Sequence, residues 1–545
     1  MTRTTLPSGV RDLVEKVAAA AVLHRAGVVD LTRPDRLRRL AADNRTYGPQ
    51  AALIMKAALE RPDAVAVVDE RGALTYRELD EQSNALASML TAAGLLPGSV
   101  IAVLARDHRG LLLAISAAGR AGLRLAMMNT GFAKPQFLDV ARREQVRAVL
   151  HDSEFTELLD ELPLPRFLTW VDQGHQLPVA AETIEDLIAR GDRRRPPPPP
   201  RPGGFVILTS GTTGPPKGAP RTKVSPLLSA TFVDRIPFPR GGSAIIASPL
   251  FHSTGFGMWT VNTALGNAAI TMRRFDAEAT LSAVATHRAE MLVLVPTMLN
   301  RILALGPETL GRYDSSSLRA IVVAGSALDP DLAIRALDAF GDVLYNLYGS
   351  TEVAIAAVAQ PLELRLAPGT VGRPPVTTDV VLLDDADRRV DGPNTIGRVF
   401  VRSGAPFEGY TDGRRKQVVD GYMSTGDVGH IDEYGLLFID GRDDDMIVSG
   451  GENVYPLEVE NLLAGLPEVT EAAVVGVNDA DFGKRLRAVI VRAPAAVLDE
   501  AAVKAHVKAN LARYKVPRDV IFVDELPRNA TGKVQRRTLE ELDLT

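Results

Sequence analysis

Residues 204–218 read Gly204-Phe205-Val206-Ile207-Leu208-Thr209-Ser210-Gly211-Thr212-Thr213-Gly214-Pro215-Pro216-Lys217-Gly218. The apolar run Gly204–Thr209 is a short buried strand, and it discharges straight into a loop of glycines, hydroxyls and one lysine. Glycines let backbone N–H groups converge, Ser and Thr add donors, and Lys217 supplies a mobile cation, which together make a cradle for an anion. The loop is not of the Walker A type, because Lys217 is followed by Gly218 rather than Ser or Thr. A plain Gly/Pro surface turn is the competing reading of the loop taken alone.

The same grammar extends on both sides. Ser99–Leu104 reads as a strand and His108–Ala121 as a helix. Farther on, Ala244–Ser248, Met291–Val295, Ala320–Val323 and Val343–Asn346 read as buried strands, separated by helical spacing over Ala277–Arg288 and Pro330–Phe340. Such alternation predicts α/β layers with largely parallel sheets, whose ligand sites lie beyond strand C-termini. The basic, proline-rich stretch 193–202 can join neither a helix nor a central strand, so it is expected to be an exposed, stiff connector. Past it, Val399–Arg402 and Gly435–Ile439 belong to a β-rich region. Helical patterns at Leu457–Leu463 and Glu500–Leu511 then alternate with strands at Glu471–Gly476, Leu486–Val491 and Val520–Val523. The expected architecture is therefore α/β: a large N-terminal domain of layered α/β subdomains plus a β-rich subdomain over 1–441, and a small α+β C-terminal domain over 442–545.

Composition narrows the function. The 545 residues carry a net charge of −5, with 46% hydrophobic and 24% charged residues. No basic surplus marks a nucleic-acid binder. The absence of cysteine excludes disulfides, thiolate nucleophiles and zinc–thiolate sites. The N-terminal stretch lacks the layout of a signal peptide, and no apolar run is long enough to span a bilayer. A cytoplasmic protein is expected. An amphipathic helix over Val10–Val22 leaves peripheral membrane contact open beside ordinary packing, and the oligomeric state is open too.

Further constellations share the loop's chemistry. Tyr348-Gly349-Ser350-Thr351-Glu352 follows a strand, and Glu352 can hold a hard cation such as Mg²⁺ against phosphate oxygens or be a solvated loop carboxylate. Asp427, in Ser424-Thr425-Gly426-Asp427, and Arg442 can meet a sugar and a phosphate, or cap a turn and form a surface ion pair. Lys533 stands before the helical pattern Val534–Leu542, where a cation is unfavourable unless an anion lies there.

Together these segments resemble the adenylate-forming superfamily of acyl- and aryl-CoA synthetases, luciferases and peptide-synthetase adenylation domains. The likeness runs from Val68–Leu79 to Leu539, with five motifs in order. It implies ATP, Mg²⁺ and coenzyme A as cofactors and a small carboxylic acid as substrate. Carried onto this sequence, it places Thr209, Ser210, Gly211, Thr212, Thr213, Gly214 and Lys217 in the phosphate loop, and Gly325, Ser326, Ala327, Tyr348 and Gly349 around the adenine. Thr351 would touch the α-phosphate, Glu352 would bind the metal, and Asp427 and Arg442 would bind the ribose. Asp444 would be the hinge on which the C-terminal domain moves, and Lys533 the catalytic lysine.

The segment Pro249–Gly255 resembles the acyl- and aryl-CoA ligase branch, in which His252 flanks the acyl pocket, and Phe251–Met258 has no carboxylate to meet an α-ammonium group. Gly451 would line the thiol entrance. No carrier segment follows Leu542 by more than three residues, which favours free CoA. Trp259 and Ala354–Val358 are expected as small apolar pocket walls. The overall likeness is to a fatty-acid–CoA ligase. The alternatives are a fatty acyl-AMP ligase that passes the group to a carrier protein, an aryl or short-chain acid CoA ligase, a luciferase-type oxygenase and a binding-only protein. Neither a Gly-x-Ser-x-Gly elbow nor a His-x-x-x-His pair supports a hydrolase or a zinc site.

Overall fold

The structure is a computed structural model. It describes residues 8–174, 181–209, 217–221, 228–404, 407–443, 445–449, 452–479, 483–529 and 532–542.

Among these residues the strands form four sheets. An eight-stranded sheet runs Ala354–Ala359, Leu344–Ser350, Ala320–Ala324, Met291–Leu294, Ser243–Ile246, Ala268–Ile270, Val65–Asp69, Gly72–Thr75. It is parallel inside and antiparallel at both edges. A seven-stranded sheet is parallel up to Phe205–Thr209, which turns back antiparallel into Lys217–Arg221. The β-branched runs of both sheets are buried on two faces, as parallel strands between helical layers require. One core joins the two sheets through the helices Arg109–Arg120 and Ser253–Ala264. Arg120 is buried there, bonded to Asp80 at 2.7 Å and Asn84 at 2.6 Å.

A five-stranded antiparallel sheet carries Tyr422–Ile431 and Leu437–Arg442. The fourth sheet, built on Val469–Asp479 and Gly483–Arg492, belongs to the small C-terminal domain with its own core. The mixed α/β class and the large-plus-small arrangement are as the sequence predicts. The proline-rich stretch is irregular and mostly exposed, but it is strapped down. Tyr47 donates to the Pro196 carbonyl at 3.2 Å, and Asn84 to that of Arg193 at 3.0 Å.

Two local expectations change. The strand predicted over Val343–Asn346 continues to Ser350, because an antiparallel partner, Ala354–Ala359, extends its pairing. Lys533 does not stand at a helix start: the helix begins at Arg536, and Lys533 sits in a tight return joined by an Arg528–Val534 bridge. Helix Ser8–Ala26 leaves Val10, Leu13, Val14 and Val17 exposed, and among the described residues no helix is long and apolar enough to cross a membrane.

Candidate active site

Strands from all four sheets, with the hairpin that carries Lys533, line a single cavity of about 1770 Å³. Its lining holds Lys217, His252, Gly325, Ser326, Ala327, Tyr348, Gly349, Thr351, Glu352, Asp427, Arg442 and Lys533. These sequence-predicted residues, spread over more than half the chain, are thus brought together. Ser210, Gly211, Thr212, Thr213, Gly214, Asp444 and Gly451 lie outside the described residues, as does the side chain of Thr209.

Gly325 follows the strand Ala320–Ala324 at φ +100°, a conformation that favours glycine, and turns the chain along the cavity wall. At Gly349 the constraint is space: a Cβ there would stand 1.9 Å from the Ala354 carbonyl oxygen across the hairpin. That hairpin delivers Thr351 and Glu352. Thr351 Oγ1 lies 3.4 Å from Ser253 Oγ, and the Thr351 and Glu352 carbonyls both accept from Arg221. Glu352 is 7% exposed. Burial pushes its carboxyl up, but hydrogen bonds from Tyr410 and Ser350 outweigh that and hold it below the usual carboxylate range.

Asp427 and Arg442 face each other across adjacent antiparallel strands, with Arg442 Nη1 3.8 Å from Asp427 Oδ1. Tyr348 donates to Asp427 Oδ2 at 2.5 Å. Burial raises Asp427, against the pull of Arg442 and Tyr348, and burial followed by the Asp427 charge raises Tyr348. Lys533 enters from the C-terminal hairpin. Arg528 holds the turn through the Gly532 carbonyl at 2.6 Å, and Gly532, at φ +78°, presses toward Thr297 of the large domain. The Lys533 side chain is exposed to the cavity rather than packed in a core. The surrounding protein still lowers its pKa, with Arg442 adding to the effect and Asp427 and Glu352 opposing it.

His252 precedes the helix Ser253–Ala264. Burial, then the Lys533 charge, pushes its imidazole down to about 3, so it is neutral at physiological pH. Trp259 corrects an expectation. It is 2% exposed, packs in the core against Phe256 and is absent from the cavity lining, where Gly257, Thr260 and Val261 stand instead. Ala354 and Ile355 do line the cavity.

Arg221, Tyr410 and Lys416 are among the further residues of the lining, and no motif of the sequence points to them. Arg221 was within reach, since residues 217, 219 and 221 of one strand share a face with the loop lysine. Tyr410 carries no sequence signal. It reaches Glu352 from a distant loop and lies 5.2 Å under the Lys217 ammonium.

Comparison with known proteins bears on the same residues. The AMP-binding enzyme family matches residues 54–411, and the C-terminal domain of AMP-binding enzymes matches 458–533, ending on Lys533. The chain belongs to the AMP-binding enzymes. This AMP-binding enzyme is a member of the adenylate-forming superfamily, of the AMP-forming acyl-CoA synthetase type. It is 32% identical over 490 residues to an indoleacetate–CoA ligase of Aromatoleum aromaticum, covering 86% of this chain and 93% of the relative. It is 30% identical over 516 residues to the fatty acid–[acyl-carrier-protein] ligase ScoC of Streptomyces coeruleorubidus, covering 91% and 98%. Among solved structures it resembles ATP-bound MatB from Rhodopseudomonas palustris, with TM-score 0.79, 28% identity and coverage of 91% and 99%.

Proposed function

We propose that this AMP-binding enzyme joins an apolar carboxylic acid to coenzyme A in two steps. The acid attacks the α-phosphorus of ATP to give acyl-AMP and pyrophosphate, and the CoA thiol then displaces AMP to give the thioester. The observation that carries this reading is the clustering of Lys217, Arg221, Lys416, Arg442 and Lys533 with Glu352 and Asp427 in one cavity whose lining also includes apolar residues such as Ile207, Phe232 and Val261. A carboxylate and a triphosphate repel each other, and cations held in place remove that barrier while aligning the reacting atoms. Lys533 neutralises the approach. The loop Thr209–Lys217 holds phosphates, Gly325–Ala327 with Tyr348 and Gly349 frame the adenine, and Asp427 with Arg442 meet the ribose. Thr351 addresses the α-phosphate.

Mg²⁺ fits Glu352. Its carboxylate is held ionised inside the cavity, and among the described residues no cluster of His, Asp or Glu forms a complete protein cage. A lone carboxylate suits an ion that shares its remaining positions with phosphates and water. When bound, the ion would offset phosphate charge. His252, neutral here, serves as a wall between acid and thiol rather than as a base.

The domain break is proposed at 441/442, with Asp444 as the hinge and Gly451 at the thiol entrance. Rotation there lets one cavity serve both steps. A cytoplasmic site of action, with peripheral membrane contact through the exposed face of Ser8–Ala26, goes with this reading. For the acid, the apolar residues of the lining and the similarity to ScoC favour a fatty acid, whereas the similarity to an indoleacetate–CoA ligase favours an aryl acid. The test is acid-dependent AMP release with and without CoA across short, medium, long and aromatic acids. Release that ignores CoA would assign the acceptor to a carrier protein, and no release with any acid would overturn the ligase reading.

A further inference from the structure

The hairpin that presents Thr351 and Glu352 does not hold its own turn. Its strands, Leu344–Ser350 and Ala354–Ala359, pair as far as Ser350 with Ala354, which leaves residues 351–353 outside the ladder. Two amides of that turn are answered locally: Ser350 Oγ accepts from Glu352 N at 3.2 Å and from Val353 N at 3.4 Å. Its three carbonyls are answered from elsewhere in the chain. Those of Thr351 and Glu352 both accept from Arg221 Nη2, the second at 3.1 Å, and that of Val353 accepts from Ser403 Oγ at 2.7 Å. Ala354 closes the turn at φ +59°, in the left-handed region that an alanine avoids. A buried carbonyl left without a donor is costly, so a turn of this shape depends on what reaches it from outside.

Arg221 makes that reach from the strand that follows the phosphate loop. It ends the strand Lys217–Arg221, on the face that also carries Lys217. It is 8% exposed, and its guanidinium lies 5.9 Å from the ring centroid of Phe407, which packs edge-on to Tyr410. Tyr410 in turn bonds Glu352 and lies under the Lys217 ammonium. The contacts therefore close a ring: from Lys217 through Tyr410 to Glu352, and from the Glu352 backbone through Arg221 to the strand of Lys217.

We infer that Arg221 is a positioning residue, which holds the turn 351–353 so that Thr351 and Glu352 meet the nucleotide at a fixed spacing from Lys217. This deepens the ligase reading and rests on it for the roles of Thr351 and Glu352. Arg221 then acts through where its donors lie and not through its charge alone. A lysine in its place keeps the charge but ends one heavy atom short of Nη2, so the two contributions separate.

The test compares full-length wild type with Arg221→Lys. By hydrogen–deuterium exchange, peptides covering residues 350–354 are expected to exchange at least about ten-fold faster in the variant, while those of the buried strand Ala320–Ala324 keep their protection. Affinity for ATP with Mg²⁺, from titration calorimetry without acid, is expected to fall at least about ten-fold, and KM for the acid to stay as in wild type. In AMP release, the losses from Arg221→Lys and Glu352→Gln should not multiply in the double variant, because both act at one turn. Ser403→Ala removes only the Val353 contact and should raise the same exchange by a smaller factor; should Arg221→Lys fail to fold, unchanged exchange in Ser403→Ala overturns the inference. In a folded Arg221→Lys, wild-type exchange at the turn overturns it, as does wild-type ATP affinity, and so do losses that multiply. If no acid elicits AMP release from wild type, the ligase reading fails by itself, and the exchange and the ATP titration still decide on Arg221.

Discussion

Substitution of Tyr410 by Phe isolates one term in the balance that keeps Glu352 charged. Glu352 is buried, which favours the neutral acid, and it is ionised because the Tyr410 and Ser350 hydroxyls donate to it. Phe removes one donor and little else. The ring stays edge-on to Phe407, at 5.0 Å between centroids, and under the Lys217 ammonium at 5.2 Å. A hydrogen bond to a charged group is worth ~1.5–3 kcal/mol net, and 1.36 kcal/mol corresponds to one pH unit. The variant should therefore titrate Glu352 about one pH unit or more higher than wild type. The sign for stability follows from linkage. A carboxyl lowered on folding contributes stability that is present above its unfolded value of 4.5 and is lost as pH falls through the folded value. In Tyr410→Phe that contribution shrinks. The assay is acid-dependent AMP release against pH, with denaturation midpoints measured alongside. The acid limb of kcat/KM should move upward and be partly restored by raised Mg²⁺. An acid limb that coincides with wild type, in a variant of unchanged stability, would refute the account of Glu352.

Three further outcomes are expected. Lys533→Ala should lose at least about 10²-fold in ATP-dependent acyl-AMP formation while still forming thioester from supplied acyl-AMP, and near-normal overall turnover would remove Lys533 from its role. Gly349→Ala places a Cβ 1.9 Å from the Ala354 carbonyl and should destabilise by ~1–3 kcal/mol, read from urea midpoints, with a matching loss of nucleotide binding. His252, held down to about 3 by burial and then by Lys533, binds a proton more readily when unfolded, where its value is 6.5. Stability should thus decline as pH falls from 6.5 toward 3, and His252→Asn should flatten that limb; equal slopes would show the imidazole to be solvated.

Most of the fold was legible because its strands are uniformly buried and its helices are punctuated. Pro330–Phe340 has the boundaries the sequence predicts, since Asp329 caps it through Leu332 N at 2.9 Å, Pro330 opens it and Gly341 closes it at φ +82°. Where local signal and tertiary pairing disagreed, pairing won. Tyr348-Gly349-Ser350 lacks strand character, yet it is strand because Ala354–Ala359 lies alongside. The sequence places Lys533 before a helix start, but its turn is fixed by Arg528 within the same hairpin and by the approach of Gly532 to Thr297, which is remote in sequence. Trp259 is expected as a wall, yet while its neighbours Gly257, Thr260 and Val261 line the pocket, its own position on the helix turns it to the core.

The site divides along the same line. Residues proposed to meet the nucleotide sit in contiguous motifs, because a loop or strand end can present several donors to one phosphate or one sugar. Groups that tune those residues have no such constraint: Tyr410 is fifty-eight residues from the glutamate it holds. The apolar part of the lining is freer still, since an apolar wall asks only for volume and can be assembled from helices at residues 8–60 and 253–264 that share no motif. The nucleotide chemistry of this family is therefore legible where the sequence is dense in glycine and hydroxyls, and the apolar wall is not, because no local pattern marks it.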